Sequence, residues 1–539
     1  MNEFSTSLDP KILASLVRSA DNPQALNLGV EREFNLITRL ERSLQGEQEQ
    51  RLALISGDQI LTARQLQERL NQAGNFLRAH QVGIERRLAI LVKEAADFIP
   101  LFLGAIKIGV IPVPLPPNLR SHEWRYLLDE SRPALAVVDP QYYLEINQLC
   151  RELPWKTEVI PTSPLPQAAD TSFQEELVES SSDLAPANTI TDDIAFWVYT
   201  QGTSGFPKAT LHLQRAPLYS CASFADQILQ LTAQDVLFST SPLHSSQGIM
   251  EKIFFPLYSS TPIIASDEEV EPAQLLELIN RHQPSVFFST PPVYHGLLQA
   301  LEQEHEPAVF ANLRACVSTN QALPLATQLN WQKYFQLEII NALTSTEALY
   351  AYITNRPGET KIGSLGKVAP GYVVRLEDKY GLPVAPGQIG NLLVLGGSTT
   401  VGYWAKPKRN AKLLFGPWLD TGDKCIVDEE GYYFFSGKRE DMILIDERWI
   451  SPRDVEANLL SLPEVAQAAV VNAIDQNDKT CLRAYIVLKP NLEPSAEMAA
   501  TLKVKANADQ PAHLHIRWLD FVPDLPRSSN GKLQRYKLR

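Results

Sequence analysis

The sequence is short of cysteine, histidine and long apolar runs, and each shortage excludes a class of protein. Its five cysteines lie far apart without a C-x-x-C pair, which argues against a disulfide framework and a zinc site. The nine histidines are equally scattered. Apolar stretches such as residues 98–106 are too short to cross a bilayer, and the first residues lack a basic start and an apolar signal core. The sequence therefore predicts reduced thiols, no membrane span and a cytoplasmic location.

Positive charge is also in deficit. The 539 residues include 62 Asp and Glu against 49 Lys and Arg, a formal net charge of −13. This balance disfavours nucleic acids and anionic membranes as partners, although a local basic pocket can still hold a nucleotide. The length predicts one large domain and at least one smaller domain.

Apolar runs of strand length alternate with amphipathic stretches of helix length through most of the chain. Residues 87–92 read as a strand, residues 95–108 as a helix, and residues 285–289 as a further strand. This alternation predicts an α/β fold in which helices cover parallel sheets. Residues 160–190 read as a loop or as an excursion between subdomains. Past about residue 370, short strands and Gly/Pro turns predict a small β-rich subdomain, and residues 438–539 read as a small α+β domain.

A glycine- and hydroxyl-rich loop follows the apolar run 194–199. Its glycines let the backbone bring N–H groups close to phosphate oxygens, and its hydroxyls and terminal lysine add donors and positive charge. The spacing differs from the G-x-x-x-x-G-K-[ST] nucleotide loop. We nevertheless predict triphosphate binding by Thr200, Gly202, Thr203, Ser204, Gly205 and Lys208.

Four further segments follow this loop: residues 341–347 (NALTSTE), 418–423 (WLDTGD), 437–443 (GKREDMI) and 526–535 (PRSSNGKLQR). In this order the five segments closely resemble the adenylate-forming superfamily of acyl- and aryl-CoA synthetases, peptide-synthetase adenylation domains and luciferases. The resemblance runs from about residue 30 to the C-terminus. Residues 102–114 and 531–539 look most like the benzoate-CoA ligase branch. We expect a large ATP- and acid-binding domain over residues 1–437 and a small mobile domain over residues 438–539.

The resemblance implies that ATP activates a carboxylic acid, whose acyl group then passes to a pantetheine thiol. This chemistry needs phosphate donors, a divalent cation and positive charge at the bridging oxygen. Glu347 is expected to hold Mg²⁺, and Thr346 to reach a phosphate. By resemblance, Lys532 bridges the acyl carboxylate and the α-phosphate. The C-terminal domain is expected to turn about Glu440 between the two half-reactions.

The resemblance also implies contacts with the nucleotide and the acid. Asp423 is expected on the ribose hydroxyls and Asn341 on the adenine amino group. The remaining expected nucleotide-site residues are Asn320, Ala342 and Lys438. The acid pocket is expected to be compact and semi-polar, with Ser246, Gln247, Leu343 and Thr344 as lining residues. His244 is expected to be either a gate of this pocket or a packed histidine. Ser246 or Gln247 stands where amino-acid-activating relatives carry an aspartate, with Glu251 as a nearby substitute. A small aryl or cyclic acid without an α-amine is favoured.

Some residues depart from the family pattern. Lys438 replaces a nearly standard arginine near the ribose, and its neighbour Arg439 is a candidate to compensate. Leu444 replaces a lysine that is often implicated in thioester formation. Glu447 replaces a glycine along which the pantetheine arm passes. These changes leave adenylation credible and put the efficient use of free coenzyme A in doubt.

Two classes of function follow. The favoured class is an enzyme that uses Mg·ATP to adenylate the acid, with coenzyme A as the acceptor or, alternatively, the phosphopantetheine of an acyl or peptidyl carrier protein. The other class is a non-catalytic nucleotide-binding relative. Loss of Lys532, Glu347 or Asp423 would have supported it, and all three are present. The sequence names neither the acid nor the oligomeric state.

Overall fold

A computed structural model describes most of the chain in two units. The described residues are 25–46, 49–165, 168–200, 206–266, 270–303, 312–321, 323–445, 448–475, 479–490, 492–508, 510–511, 514–527 and 533–539. The first unit takes the described residues up to 202, with 206–374 and 394–419, and the second takes 375–393 and 420–539. The domain boundary expected between residues 437 and 438 stays a prediction.

A nine-stranded sheet forms the centre of the first unit, and its six middle strands are parallel. Val286–Ser289 and Ala315–Ser318 are buried at every position, as expected for parallel strands that are covered on both faces. In spatial order the strands are Lys367–Val368, Ala351–Thr354, Ile339–Thr344, Ala315–Ser318, Val286–Ser289, Leu237–Ser239, Ile263–Ala265, Leu52–Ser56 and Gln59–Thr62.

A second sheet of the same unit has four parallel strands. In spatial order they are Ile111–Pro114, Arg87–Leu91, Leu135–Val138 and Glu158–Pro161. Beside it lies an antiparallel pair, Ile194–Thr200 with Lys208–Leu213. Trp197 and Leu211 of this pair belong to the same buried cluster as Val113 and Val138 of the four-stranded sheet. Leu414–Phe415 pairs with the start of Trp418–Val427.

Helices cover these sheets, and two of them pack unusually closely. The helix Ala63–Ala79 begins at a capping box in which Thr62 and Gln65 satisfy each other's backbone N–H groups. It packs on Ala95–Lys107. The other α-helices of this unit are Leu36–Leu40, Ser121–Ser131, Pro140–Arg151, Phe173–Glu179, Ala216–Ser220, Ser246–Ile249, Phe255–Ser259, Pro272–His282, Pro291–Gln303, Leu325–Phe335 and Pro407–Leu413.

The second unit contains a three-stranded sheet. Val465–Ile474 pairs antiparallel with Thr480–Leu488, which pairs parallel with Ile516–Phe521. The helices Pro452–Leu460 and Ala496–Asn507 bury Leu459 and Leu502 in the same core as Val470 and Ile486. The unit also contains the hairpin Ile443–Ile445 with Arg448–Ile450, the strand Tyr433–Lys438 and the short 3₁₀-helix Arg535–Lys537. Three further strands are Val373–Glu377, Gly390–Leu395 and Trp418–Val427.

The expected α/β class with parallel sheets, a β-rich part and a small α+β part is confirmed. The loop expected over residues 160–190 is partly wrong, because Ser172 accepts a hydrogen bond from the Glu175 N–H and caps the helix Phe173–Glu179. Across the described ranges, no helix is both long enough and apolar enough to cross a membrane.

We predict that Gly104→Ala destabilises the first unit. An added Cβ would lie 2.5 Å from the Leu70 carbonyl oxygen and 2.7 Å from the Gly74 nitrogen, both of which are backbone atoms that cannot turn aside. Replacing glycine by alanine stabilises a helix by up to about 1 kcal/mol, whereas overpacking destabilises a core by about 1–3 kcal/mol. The net effect on the free energy of unfolding should therefore be a loss. Urea unfolding measures the loss. Gly83→Ala, whose Cβ would meet nothing within 4 Å, is the control, and equal stability of the two variants would contradict the prediction.

Candidate active site

The two ends of the glycine-rich loop lie side by side. Thr200 is the last residue of one strand, Lys208 is the first residue of the next, and the two are direct partners in the antiparallel pair. Of the predicted phosphate-binding residues, Gly202, Thr203, Ser204 and Gly205 lie outside the described residues. The strand pair therefore places the only described cation of the loop, Lys208, directly opposite Thr200.

A tyrosine hydroxyl links Lys208 to Glu347. The Lys208 Nζ donates to the Tyr403 hydroxyl at 3.3 Å and lies 4.5 Å from the centroid of its ring. The hydroxyl donates in turn to Glu347 Oε1 at 2.6 Å. Burial and the Glu347 carboxylate raise the pKa of Tyr403, so its hydroxyl keeps its proton. Sequence reasoning missed this residue because it lies 195 positions from Lys208 and 56 from Glu347, outside every motif.

Glu347 sits in a tight turn directly after the strand Ile339–Thr344. The Ala348 N–H donates to Ser345 Oγ at 3.0 Å, and the Leu349 N–H donates to the Thr346 carbonyl at 3.1 Å. Mg²⁺ in nucleotide sites takes one or two carboxylates and completes its shell with phosphate oxygens and water. One partly buried carboxylate near a lysine fits a cation of this kind.

Buried polar atoms without partners mark the expected adenine site. The Asn341 Nδ2 donates to the Ser364 carbonyl at 3.1 Å, and its buried Oδ1 has no hydrogen-bond partner in the described structure. Ser318, its partner in the parallel strand pair, and Thr319 also have buried hydroxyls with no hydrogen-bond partner in the described part of the chain. A free amide oxygen is the acceptor that an adenine amino group requires. These atoms therefore fit a nucleotide base.

The other two expected residues near the base differ in setting. Ala342 is buried and pairs with Thr354 across the antiparallel edge. Asn320 follows Thr319 and is exposed, with φ of 75°. That left-handed conformation is one that asparagine tolerates better than most residues. Asn320 therefore lies just beyond the end of the strand Ala315–Ser318.

The acid-pocket residues Ser246 and Gln247 occupy the first turn of a helix, capped by Ser245, whose Oγ accepts from the Gly248 N–H at 3.0 Å. The Gln247 Nε2 donates to Thr344 Oγ1 at 3.0 Å, and Ser246 Oγ donates to Gln247 Oε1 at 3.2 Å. The structure thus brings three of the predicted pocket residues together. Leu343, next to Thr344, is partly buried and pairs with Ile353.

The same helix continues through a π-helical stretch, Met250–Phe254, that carries a buried carboxylate. Glu251 accepts from Ser239 Oγ at 2.7 Å and from the Tyr350 hydroxyl at 2.8 Å. Burial raises the pKa of Glu251 to about 7 against the opposing effect of these hydrogen bonds. Both of its oxygens already have donors, which argues against a role in binding a substrate ammonium.

His244, the expected gate residue, is uncharged at neutral pH. Desolvation, followed by the positive charge of Lys252, lowers its pKa to about 4. The Lys252 ammonium donates to the Ser266 carbonyl. The ring therefore offers one donor and one acceptor to the pocket, and no charge.

In the second unit, the expected ribose ligand is paired with a lysine. Asp423 is 1% exposed, and its Oδ1 lies 2.5 Å from the Nζ of Lys438, its partner in the strand pair. Arg439, the candidate to compensate for this lysine, instead pairs with Asp420 at 2.8 Å. Among the described residues, Lys438 is therefore the one cation that forms an ion pair with the buried Asp423 carboxylate.

The expected hinge and acceptor residues also lie in the second unit. Glu440 is exposed, and its carbonyl accepts from Arg539 Nη2 at 3.0 Å. Leu444 is 43% exposed and lies opposite Trp449 in a hairpin. The Lys424 Nζ lies 4.2 Å from the Trp449 ring centroid, and burial lowers the pKa of Lys424 to about 8. Glu447 lies outside the described residues.

Lys532 also lies outside the described residues, but the segments on either side of it are joined. Arg527 pairs with Leu533 in an isolated bridge, and the Gln534 N–H donates to the Pro526 carbonyl at 2.8 Å. The Arg535 Nη2 donates to both carboxylate oxygens of Glu456, at 2.7 and 2.9 Å, and its Nη1 donates to Asp441 at 3.2 Å. These bonds fix both ends of the segment that carries the expected catalytic lysine.

Comparison with known proteins gives a consistent result. The family model of AMP-binding enzymes matches residues 40–404, and that of the AMP-binding enzyme C-terminal domain matches residues 454–532. The chain is 32% identical to benzoate–CoA ligase of Thauera aromatica over 474 residues, which covers 87% of this chain and 89% of the relative. It is also 32% identical to 4-hydroxybenzoate–CoA/benzoate–CoA ligase of Rhodopseudomonas palustris over 491 residues, 91% of this chain and 90% of the relative.

Solved structures show the same fold. The anthranilate CoA ligase AuaEII in complex with anthranoyl-AMP has a TM-score of 0.87 at 29% identity, covering 95% of this chain and 98% of the other. A benzoate CoA ligase from Burkholderia xenovorans LB400 has a TM-score of 0.83 at 29% identity, covering 94% of this chain and all of the other (100%).

We predict that Glu251 makes stability depend on pH. Its folded pKa, about 7, lies above the ordinary 4.5, so its stabilising contribution is complete below pH 4.5 and is lost as the pH rises to about 7. Glu251→Gln is neutral throughout. Between pH 4.5 and pH 8 the free energy of unfolding of the parent should fall by about 3 kcal/mol relative to that of the variant. Urea unfolding across this range measures the change, and parallel profiles would refute the prediction.

Proposed function

Since the chain belongs to the family of AMP-binding enzymes, we propose that it uses ATP to adenylate an aryl carboxylic acid and passes the acyl group to coenzyme A. The observation that carries this proposal is the likeness to aryl-CoA ligases along nearly the whole chain. The buried, unpartnered Oδ1 of Asn341 supports it independently, because an acceptor in that position suits an adenine amino group. The cytoplasmic location stays a prediction.

In the adenylation step, a carboxylate oxygen of the acid attacks the α-phosphorus of ATP, and pyrophosphate leaves. Asn341 reads the base and Asp423 accepts from the ribose hydroxyls, while Lys208 and the hydroxyl of Thr346 contact the phosphates. Lys532 approaches the α-phosphate and the attacking carboxylate, where its positive charge offsets the charge that develops. Glu347 would hold Mg²⁺, which would supply further positive charge to the phosphates.

The remaining predicted residues of the nucleotide site have supporting roles. The backbone of Gly202 and Gly205 and the hydroxyls of Thr200, Thr203 and Ser204 donate to phosphate oxygens. Asn320 and Ala342 flank the base. Lys438 balances Asp423 at the ribose, in keeping with their 2.5 Å contact.

In the thioester step, a pantetheine thiol loses its proton to solvent, its sulfur attacks the acyl carbonyl, and AMP leaves with the electron pair of the broken C–O bond. Glu440 is the proposed hinge, at the start of the proposed mobile domain, residues 438–539. Its exposure supports this role because a hinge must change backbone conformation without losing buried contacts.

The acid pocket suits a ring with a small polar substituent. Gln247 and Thr344 bond each other, and Ser246 bonds Gln247, so each retains hydrogen-bonding capacity for one further partner. Leu343 supplies an apolar surface, and the neutral His244 closes the pocket without charge. An aryl acid that bears a hydroxyl or amino group would use these groups better than an unsubstituted one.

A second acceptor has a specific observation in its favour. Leu444 and Glu447 stand where the family pattern has a lysine and a glycine. The bulky, negatively charged Glu447 would repel the phosphate groups of free coenzyme A as it approaches. A carrier protein presents the same thiol without the adenosine phosphates. The phosphopantetheine of an acyl or peptidyl carrier protein is therefore the alternative acceptor.

We predict acid-dependent ATP–pyrophosphate exchange with benzoates, and faster exchange with hydroxy- or aminobenzoates. Small cyclic acids and proline-like amino acids complete the panel. Lys532→Ala should lower exchange by at least about 100-fold, the usual effect of removing one transition-state donor, and should keep ATP affinity and thermal stability. Exchange at the parent rate in this variant would remove Lys532 from the mechanism. Absence of exchange with every acid, despite ATP binding, would favour a non-catalytic nucleotide-binding role.

We further predict that the double variant Leu444→Lys/Glu447→Gly improves the use of coenzyme A. Removing the acid and restoring the lysine should raise kcat/KM for coenzyme A about tenfold, a change of ~1.4 kcal/mol. Acid-dependent exchange, which precedes the thiol, serves as the internal control and should not change. An unchanged kcat/KM for coenzyme A would show that these two residues do not select the acceptor.

A further inference from the structure

One short segment, residues 400–404, is bonded to both sides of the candidate phosphate site. The Thr400 N–H donates to the Glu347 carbonyl at 2.7 Å, and its Oγ1 donates to the Leu211 carbonyl at 2.7 Å. The Trp404 N–H donates to the Ala209 carbonyl at 2.9 Å. Residues 400–404 therefore join the turn of Glu347 to the strand that begins at Lys208.

The backbone of Tyr403 is clamped within this segment by one side chain. The Tyr403 N–H donates to Asn410 Oδ1 at 2.8 Å, and Asn410 Nδ2 donates back to the Tyr403 carbonyl at 2.9 Å. The clamp requires glycine at position 402, because φ is 132° there and a Cβ would lie 2.9 Å from the Asn410 amide nitrogen. Tyr403 is 6% exposed, and these bonds to its backbone fix the position from which its side chain extends.

We propose that Tyr403 is a positioning residue of the adenylation site, which fixes the Glu347 carboxylate and the Lys208 ammonium relative to each other before the nucleotide binds. The inference rests on the proposed function. Donation to Glu347 Oε1 sets the orientation of the carboxylate and leaves its second oxygen to face a cation. The ring face and the hydroxyl oxygen together hold Lys208, whose flexible side chain would otherwise sample many rotamers.

Tyr403→Phe tests the proposal, because it removes the hydroxyl and keeps the ring. The Mg²⁺ concentration that gives half-maximal acid-dependent exchange should rise about tenfold. Losing a residue that orients a metal ligand usually weakens metal binding by about 10- to 100-fold, and we expect the lower end of this range. The KM for the acid should not change. A second readout does not need turnover: by calorimetry, the gain in ATP affinity that Mg²⁺ gives the parent should shrink by a similar factor.

Tyr143→Phe is the matched control. Tyr143, on the helix Pro140–Arg151, has the same 6% exposure, and its hydroxyl accepts from Asn147 Nδ2 at 3.5 Å, far from Lys208 and Glu347 in the sequence. It should leave the Mg²⁺ requirement unchanged. If Tyr403→Phe does not fold, Asn410→Ala, which frees the backbone of Tyr403 and keeps its hydroxyl, should shift the Mg²⁺ requirement in the same direction.

The two ways of failing are distinguishable. A folded Tyr403→Phe with the Mg²⁺ requirement and the Mg²⁺-dependent ATP affinity of the parent would overturn the positioning role. A parent without acid-dependent exchange for any acid would instead overturn the proposed function, and calorimetry with ATP and Mg²⁺ would still decide the role of Tyr403.

Discussion

The hydrogen bonds of residues 400–404 are the constraint on which the phosphate side of the site depends. Lys208 begins one strand of an antiparallel pair, and Glu347 lies in a turn beyond a strand of the nine-stranded sheet. Nothing in the local sequence of either segment fixes the distance between them. Backbone bonds from residues 400–404 to both segments do so, and the Tyr403 hydroxyl extends the constraint from main chain to side chains. Because backbone groups must be paired when buried, this arrangement is also one that the fold cannot easily give up.

A single strand, Ile339–Thr344, supplies much of the rest of the site. Its parallel pairing ends at Asn341, opposite Ser318, and its last residue, Thr344, reaches Gln247 of the acid pocket. Glu347 follows in the next turn. Ligands of open α/β sheets bind beyond the carboxyl ends of the strands, where short connections expose side chains on a rigid base. Under the proposed function, these seven consecutive residues serve base, acid and phosphates in turn, and the same segment carries much of the family resemblance.

The sequence was informative wherever a function is local and uninformative wherever it depends on tertiary contacts. The alternation of apolar runs predicted the α/β class, and the loop that ends at Lys208 stood out by its composition. The segment 341–347 was identified through the family resemblance. Tyr403 could not be predicted, since its partners lie far away in the sequence and a lone tyrosine has no motif. The pairing of Arg439 with Asp420 rather than Asp423 depends on strand register, which neighbouring charges do not reveal. The helix Phe173–Glu179 was hidden by the proline- and serine-rich residues around it.

The unpartnered atoms at the strand ends bear on stability as well as on binding. A buried donor or acceptor without a partner costs about 1–3 kcal/mol, and Asn341 Oδ1, Ser318 Oγ and Thr319 Oγ1 all lack partners in the described structure. A core built for stability alone would fill these positions with apolar groups. Local rules are broken in this way mainly at functional sites, where a ligand later supplies the missing partners. Ser318 and Asn341 are direct neighbours across the sheet, so a single planar group that enters beyond the strand ends can reach both. In the proposed function, the same atoms that weaken the fold would give a nucleotide base its hydrogen bonds, and the surrounding parallel strands hold these atoms in place beforehand.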